Sequence, residues 1–221
     1  MLRPAAEPGA PGRLPTTDRR AAGWRWVLTT SLVTMFWFFF FTANARAWGE
    51  TRRPVGLGVV ALELVFAILF VLRRNPMAVS RRPLAWLVAP LGSFGMLLAR
   101  PHYEPVGGHD LPFAILQLGG TAAAVYCLIT LGRSFGIVAA NRGLQTRGPY
   151  RIVRHPIYAC YLVVALGYLL ENPSHWNAVI VGAFMAAQVL RIREEESCLV
   201  QDPGYVAYRK RVQWRLVPFL F

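Results

Sequence analysis

Cysteine is scarce and unpaired in this 221-residue chain: Cys127, Cys160 and Cys198 form no CxxC motif. Neither a disulfide framework nor a zinc site is expected, and no other metal. Lysine is nearly absent, with 23 arginines against Lys210 alone, a bias that points to a GC-rich, bacterial genome. Acidic residues number 11 against 24 basic ones, leaving a net charge of +13. No internal repeat is present. Also missing is any helical or strand period among the apolar residues, although they make up 55% of the chain. They fall in blocks, so lipid rather than water is the expected solvent.

What is there begins with those blocks. Runs long enough to cross about 30 Å of hydrocarbon cover Val27 to Asn44, Pro54 to Leu72, Leu84 to Ala99 and Leu111 to Leu131. Two shorter runs follow, Ile157 to Leu170 and Trp176 to Leu190. The turn formers Asn172, Pro173 and Ser174 join these two into a tight helical hairpin. The expected fold is all-α: a polytopic membrane helix bundle of five to six hydrophobic helices, the last two a hairpin, with a cytoplasmic C-terminal catalytic region.

The basic residues alternate by loop. With the N-terminus inside, twenty of them fall in the N-terminal tail, the loops at 73–83 and 132–156, and the C-terminal tail; the opposite loops hold Arg46, Arg52, Arg53 and Arg100 only. That asymmetry is the positive-inside rule, and it places both termini in the cytoplasm. It also accounts for the net charge without nucleic acid, which is not an expected partner. Residues 1–23, rich in Pro, Ala, Gly and Arg, are expected to be a disordered cytoplasmic tail. Arg19 and Arg20 ahead of an apolar run have the outline of a signal peptide, but the run and the preceding tail are long for one. An inner-membrane location follows from the bacterial reading.

The chain divides near residue 131, into a four-helix membrane region at 24–131 and a catalytic region at 132–221. In the first part Glu63 stands near the middle of the second run, a costly depth that marks a functional or a paired carboxyl. Gln117 raises the same question at lower cost. In the second part, "LGRSFGIVAANRGLQTRGPY" supplies Gly132, Gly136, Gly143 and Gly148 for close backbone approach, with Arg133, Arg142 and Arg147 favouring an anion. "RGPYRIVRHPIY" follows. Pro156 suits a first helical turn, which sets His155 at the cap of the fifth run beside Arg154 and Tyr158. The lesser alternative is a helix cap with snorkelling arginines.

"RIREEES", Arg191 to Ser197, continues the sixth helix. Three glutamates at a helix C-terminus oppose its dipole and call for partners. Successive residues point about 100° apart, so Glu195 and Glu196 do not face one ligand together; one binds while the other braces Arg154 or Arg191. Arg191 and Glu195 are also spaced to pair along the helix. The hairpin brings "RHPIY" and "REEE" to one membrane face.

In this order, "LGRSFG", "LQTRGPYRIVRHPIY", "REEESCL" and "YVAYRKRVQWRLVPF" resemble the isoprenylcysteine carboxyl methyltransferase and phospholipid methyltransferase superfamily of integral membrane enzymes, over roughly residues 125 to 221. The resemblance implies an S-adenosylmethionine (S-adenosyl-L-methionine) site at Gly148, Pro149, Tyr150, His155, Tyr158, Glu195 and Glu196. It implies catalytic roles for Arg154, His155, Glu195 and Arg211, the last facing a substrate carboxylate. Two departures stand out: Cys160 occupies a position usually glycine after RHPxY, and the stretch before the tyrosines of the tail is short.

The implied reaction is methyl transfer to a lipophilic small-molecule or lipid-linked acceptor from the membrane. A carboxylate acceptor needs only Arg154 or Arg211 to orient it, whereas an amine needs His155 or a glutamate as base. The carboxylate is slightly favoured by "YRKRV". No protein partner is inferable. Two other readings stay open: a membrane sterol-type reductase using NADPH, and a non-catalytic membrane scaffold.

Overall fold

A computed structural model describes residues 19–101 and 110–220. Most of the expected N-terminal tail, 1–18, lies outside the described residues; its last five residues open the first helix. In chain order the helices are α1 Arg19–Thr51, α2 Pro54–Leu72, α3 Pro83–Phe94, α4 Asp110–Leu131, α5 Pro156–Glu171, α6 His175–Leu199 and α7 Pro203–Arg211. Local chemistry sets their starts. A proline opens α2, α3, α5 and α7, where its missing N–H costs nothing. Ser174 caps α6 by accepting from Asn177 N, and Asp202 caps α7 by accepting from Gly204 N at 2.8 Å.

The fold is mostly helical, as expected, with one short ladder between loops. Ala78–Val79 (β1) pairs antiparallel with Ala140–Asn141 (β2). The two segments lie in the basic loops at 73–83 and 132–156, outside any helix, and their backbone groups need partners. Their ladder continues in Met77 N to Asn141 O at 2.8 Å and Ser80 N to Ala139 O at 3.0 Å.

The third apolar run does not form one helix. It stops at Phe94 and continues as a 3-10 turn, Gly95–Leu98. Gln188 Nε2 on α6 donates to Gly92 O at 2.7 Å in the turn before the change. With 12 residues in α3 and 16 in α5, both are shorter than the roughly 20 of a straight crossing. Among the described residues two segments are long and apolar enough to cross a membrane, Pro54–Leu72 and Leu111–Ser134, yet only 17% and 33% of their apolar windows are buried. Exposed Leu57, Leu64 and Ile68 on α2 and Leu111, Ile115 and Ile129 on α4 form an apolar belt suited to lipid.

Helix pairing shapes the interior. α1 packs on α2, α2 on α4, α4 most extensively on α5, and α3 on α6. The α5–α6 hairpin is splayed by comparison, and the space it leaves is the cavity described below. Small residues permit the tight α4–α5 seam, as is usual between membrane helices. A Cβ at Gly120 would stand 2.8 Å from Val164 Cγ2 and 3.2 Å from Val163 Cγ1. Valines are stiff at χ1 and cannot swing aside. Gly120→Ala should therefore cost about 1–3 kcal/mol of stability, seen as a lower midpoint in thermal unfolding of detergent-solubilised protein.

Candidate active site

The three glutamates near the end of α6 each find different company, as their angular spacing demands. Glu194 pairs with Arg82 at 3.2 Å. Glu196 turns away from the cavity and accepts from Arg154 Nε at 2.8 Å and Arg215 Nε at 3.0 Å, with Tyr205 Oη donating at 3.3 Å. Glu195 lines the cavity. It accepts a hydrogen bond from Tyr158 Oη, and its Oε2 lies 3.7 Å from His155 Nδ1. Arg191 does not pair with Glu195; it donates to Ile137 O at 3.0 Å and lies over the Tyr158 ring, 5.2 Å from its centroid. Gly92 makes room for that side chain, since a Cβ there would stand 2.6 Å from Arg191 Cδ.

Arg154 is the hub of a buried brace. Besides Glu196, its Nη1 donates to Val212 O at 2.8 Å and Gln213 O at 2.6 Å. The backbone N–H groups of Arg154 and His155 donate to Trp214 O and Arg215 O, both at 2.9 Å. Tyr208 Oη adds a bond to Tyr150 O at 2.7 Å. The segment after α7 is thereby fastened under the RHPIY turn. Burial works against the Glu196 charge, but its contacts with His155 and Arg154 outweigh that and hold the carboxyl well below the usual carboxylate range.

Between the splayed hairpin and helices α1 to α4 lies a partly open cavity of about 480 Å³, a size suited to a small-molecule ligand. Its middle is apolar, with Phe66, Phe135, Ile157, Tyr161, Ala165 and Phe184 on the wall. At the end nearest the basic loops stand Arg142, Tyr150, His155, Tyr158 and Glu195. Two polar atoms there are buried without a hydrogen-bond partner among the described residues: Arg142 Nε and Tyr150 Oη. Beside them, His155 Nε2 lies 3.4 Å from Glu196 Oε1. Buried polar atoms are rarely left unpartnered, and two around one cavity end mark a place for a polar ligand. Burial lowers the Arg142 pKa, while the Glu195 charge acts in the opposite direction.

Of the residues expected at the site, Tyr150, His155, Tyr158 and Glu195 meet at this cavity end, and Arg154 touches the cavity with its donors committed to the brace. Gly148 and Pro149 form a 3-10 turn, Gly148–Arg151, that positions Tyr150 without lining the cavity. Gly148 has φ +55° and packs near Thr130, a conformation natural to glycine. Glu196 is in the brace, and Arg211 is exposed at the end of α7, away from the cavity lining. Sequence reasoning gave Arg142 only a general preference for anions and passed over Tyr205, Tyr208 and Arg215. The signal for Arg142 lay in Gly136: a Cβ there would collide with the Arg142 guanidinium.

Fold and site together define a helical membrane protein whose internal cavity ends in an acid, an imidazole, phenols and a guanidinium. Residues 113–201 match the family model of the isoprenylcysteine carboxyl methyltransferase (ICMT) family. Over those residues, less than half of the chain, the protein is similar to that family. Among solved structures, the eukaryotic intramembrane Ras methyltransferase ICMT (isoprenylcysteine carboxyl methyltransferase), determined without a monobody, is similar at 18% identity. The match covers 92% of this chain and 88% of that one, with a TM-score of 0.43. No curated protein matches the chain.

Proposed function

We propose that this protein is an S-adenosylmethionine-dependent methyltransferase of a bacterial inner membrane, with both termini cytoplasmic, and that it acts on a lipophilic carboxylate. The observation that carries this reading is the pair of unpartnered polar atoms, Arg142 Nε and Tyr150 Oη, with His155 and Glu195 beside them at one end of an apolar cavity. Those residues fit the cofactor: Glu195 accepts from its amino group or ribose hydroxyls, while Tyr150 and His155 offer hydrogen bonds across the cavity. When bound, the cofactor supplies an electrophilic methyl group on a sulfonium.

The chain's own work is binding, orientation and the exclusion of water. Arg142 Nε–H donates to the acceptor carboxylate, which is already ionised and needs no base. Tyr158 steadies Glu195 through its hydroxyl. The aromatic wall of Phe66, Phe135 and Tyr161 keeps the reacting groups dry and close, and such positioning can supply much of the rate.

The test uses methyl-labelled S-adenosylmethionine and a long-chain alkanoic acid as acceptor, with protein in lipid nanodiscs. Label recovered as a methyl ester, released as methanol by mild base, supports the reading. Base-stable product from an alkylamine, with none from the acid, would replace the carboxylate by an amine. Absence of transfer to either probe would count against these acceptor classes. Arg142→Met should raise the KM for the acid about 10- to 100-fold, the worth of a charge-assisted hydrogen bond, and leave S-adenosylhomocysteine affinity unchanged.

A further inference from the structure

The cavity has a second polar station, away from the cofactor end. Glu63, on α2, is only 7% exposed and lines the cavity. Its Oε1 accepts from Asn44 Nδ2 on α1 at 2.8 Å, and that amide also donates to Phe40 O at 3.1 Å. Its Oε2 is buried with no partner among the described residues. On the same α1–α2 wall Trp37, also 7% exposed, lines the cavity with its Nε1–H likewise unpartnered. The Trp37 ring is held flat against Phe66, centroids 5.0 Å apart.

A carboxyl serving only to staple α1 to α2 has no need of a free oxygen facing an apolar chamber. Asn44 satisfies one oxygen and leaves the other for something else. The wall presents one carboxyl oxygen and one N–H donor, and a hydroxyl, which donates and accepts, can answer the carboxyl whichever of its oxygens carries the proton. The rest of the lining is mostly aliphatic and aromatic.

Resting on the methyltransferase reading above, we propose that Glu63 is a specificity-determining anchor for the acceptor: an apolar chain with its reactive carboxylate at the Arg142 end and a hydroxyl at the Glu63 end. A site built to hydrogen-bond a hydroxyl discriminates strongly against the analogue that lacks it, because its own polar atoms are then left unpaired.

The probes are ω-hydroxyalkanoic acids of increasing chain length, each compared with the unsubstituted alkanoic acid of equal length. Binding is measured by titration calorimetry in nanodiscs, with S-adenosylhomocysteine affinity measured alongside and empty nanodiscs as the partitioning control. The parent protein should bind the hydroxy acids about tenfold tighter within a narrow window of chain length. Glu63→Met, of similar length and suited to apolar surroundings, should abolish that advantage with S-adenosylhomocysteine affinity unchanged. No hydroxyl advantage in a parent that binds S-adenosylhomocysteine would overturn the assignment, as would an advantage that survives Glu63→Met. If the variant does not fold, the parent's length profile decides: an optimum supports a fixed anchor, and an advantage that rises evenly with length refutes it. Failure of the parent to bind S-adenosylhomocysteine removes the methyltransferase reading and this assignment with it.

Discussion

Glu196→Leu should unfold the end of the protein that holds α7 at temperatures the parent survives, with a loss of about 3–5 kcal/mol. The substitution leaves the buried Arg154 guanidinium with two backbone carbonyls and no anion. It also releases Arg215 and Tyr205. Removing one partner of a buried ion pair costs far more than the pair contributes, because an uncompensated charge remains. Thermal unfolding followed by circular dichroism in detergent checks the loss, and a drop below about 1 kcal/mol would show that the brace is not structural.

The same carboxyl sets a pH dependence. Its folded pKa lies below the ordinary value of 4.5, so the folded state favours the ionised form. That contribution is fully present above the ordinary value and is lost as pH falls through the folded one. The parent should weaken progressively below about pH 4.5, and Glu196→Gln should flatten this part of the stability profile.

The second large effect falls on chemistry. Glu195→Gln keeps the shape of the side chain and removes its charge, so Tyr158 retains an acceptor while a bound cation or hydroxyl loses a strong one. Methyl transfer should fall about 100-fold or more with the unfolding midpoint nearly unchanged, a charge-assisted bond being worth about 1.5–3 kcal/mol and its orienting effect adding to that. A Glu195→Gln protein with parental turnover would remove Glu195 from the site.

Neighbouring glutamates thus have opposite uses, and sequence held half of that. The 100° step between Glu195 and Glu196 required two directions, and the hydrophobic blocks located α2, α4 and α5 within a residue or so, while α1 extends well beyond its run at both ends. Which glutamate faced the cavity was not legible. It depends on the chain after α7 returning beneath Arg154, a tertiary contact with no local signature. The contact of the third run with α6 was hidden for a similar reason, since Gln188, which donates to the Gly92 carbonyl, is nearly a hundred positions away. Glu63 was conspicuous as an acid in a greasy run, but only the structure puts one of its oxygens on Asn44 and leaves the other unpartnered at a cavity wall.

The measurement closest to the central claim is calorimetric titration of S-adenosylhomocysteine into folded parent protein in nanodiscs, with NADPH as the competing ligand. The account predicts saturable binding of S-adenosylhomocysteine at one site per chain, weakened about 10- to 100-fold by Glu195→Gln, and none of NADPH. Binding of NADPH with no uptake of S-adenosylhomocysteine would contradict it and assign the cavity to reduction instead.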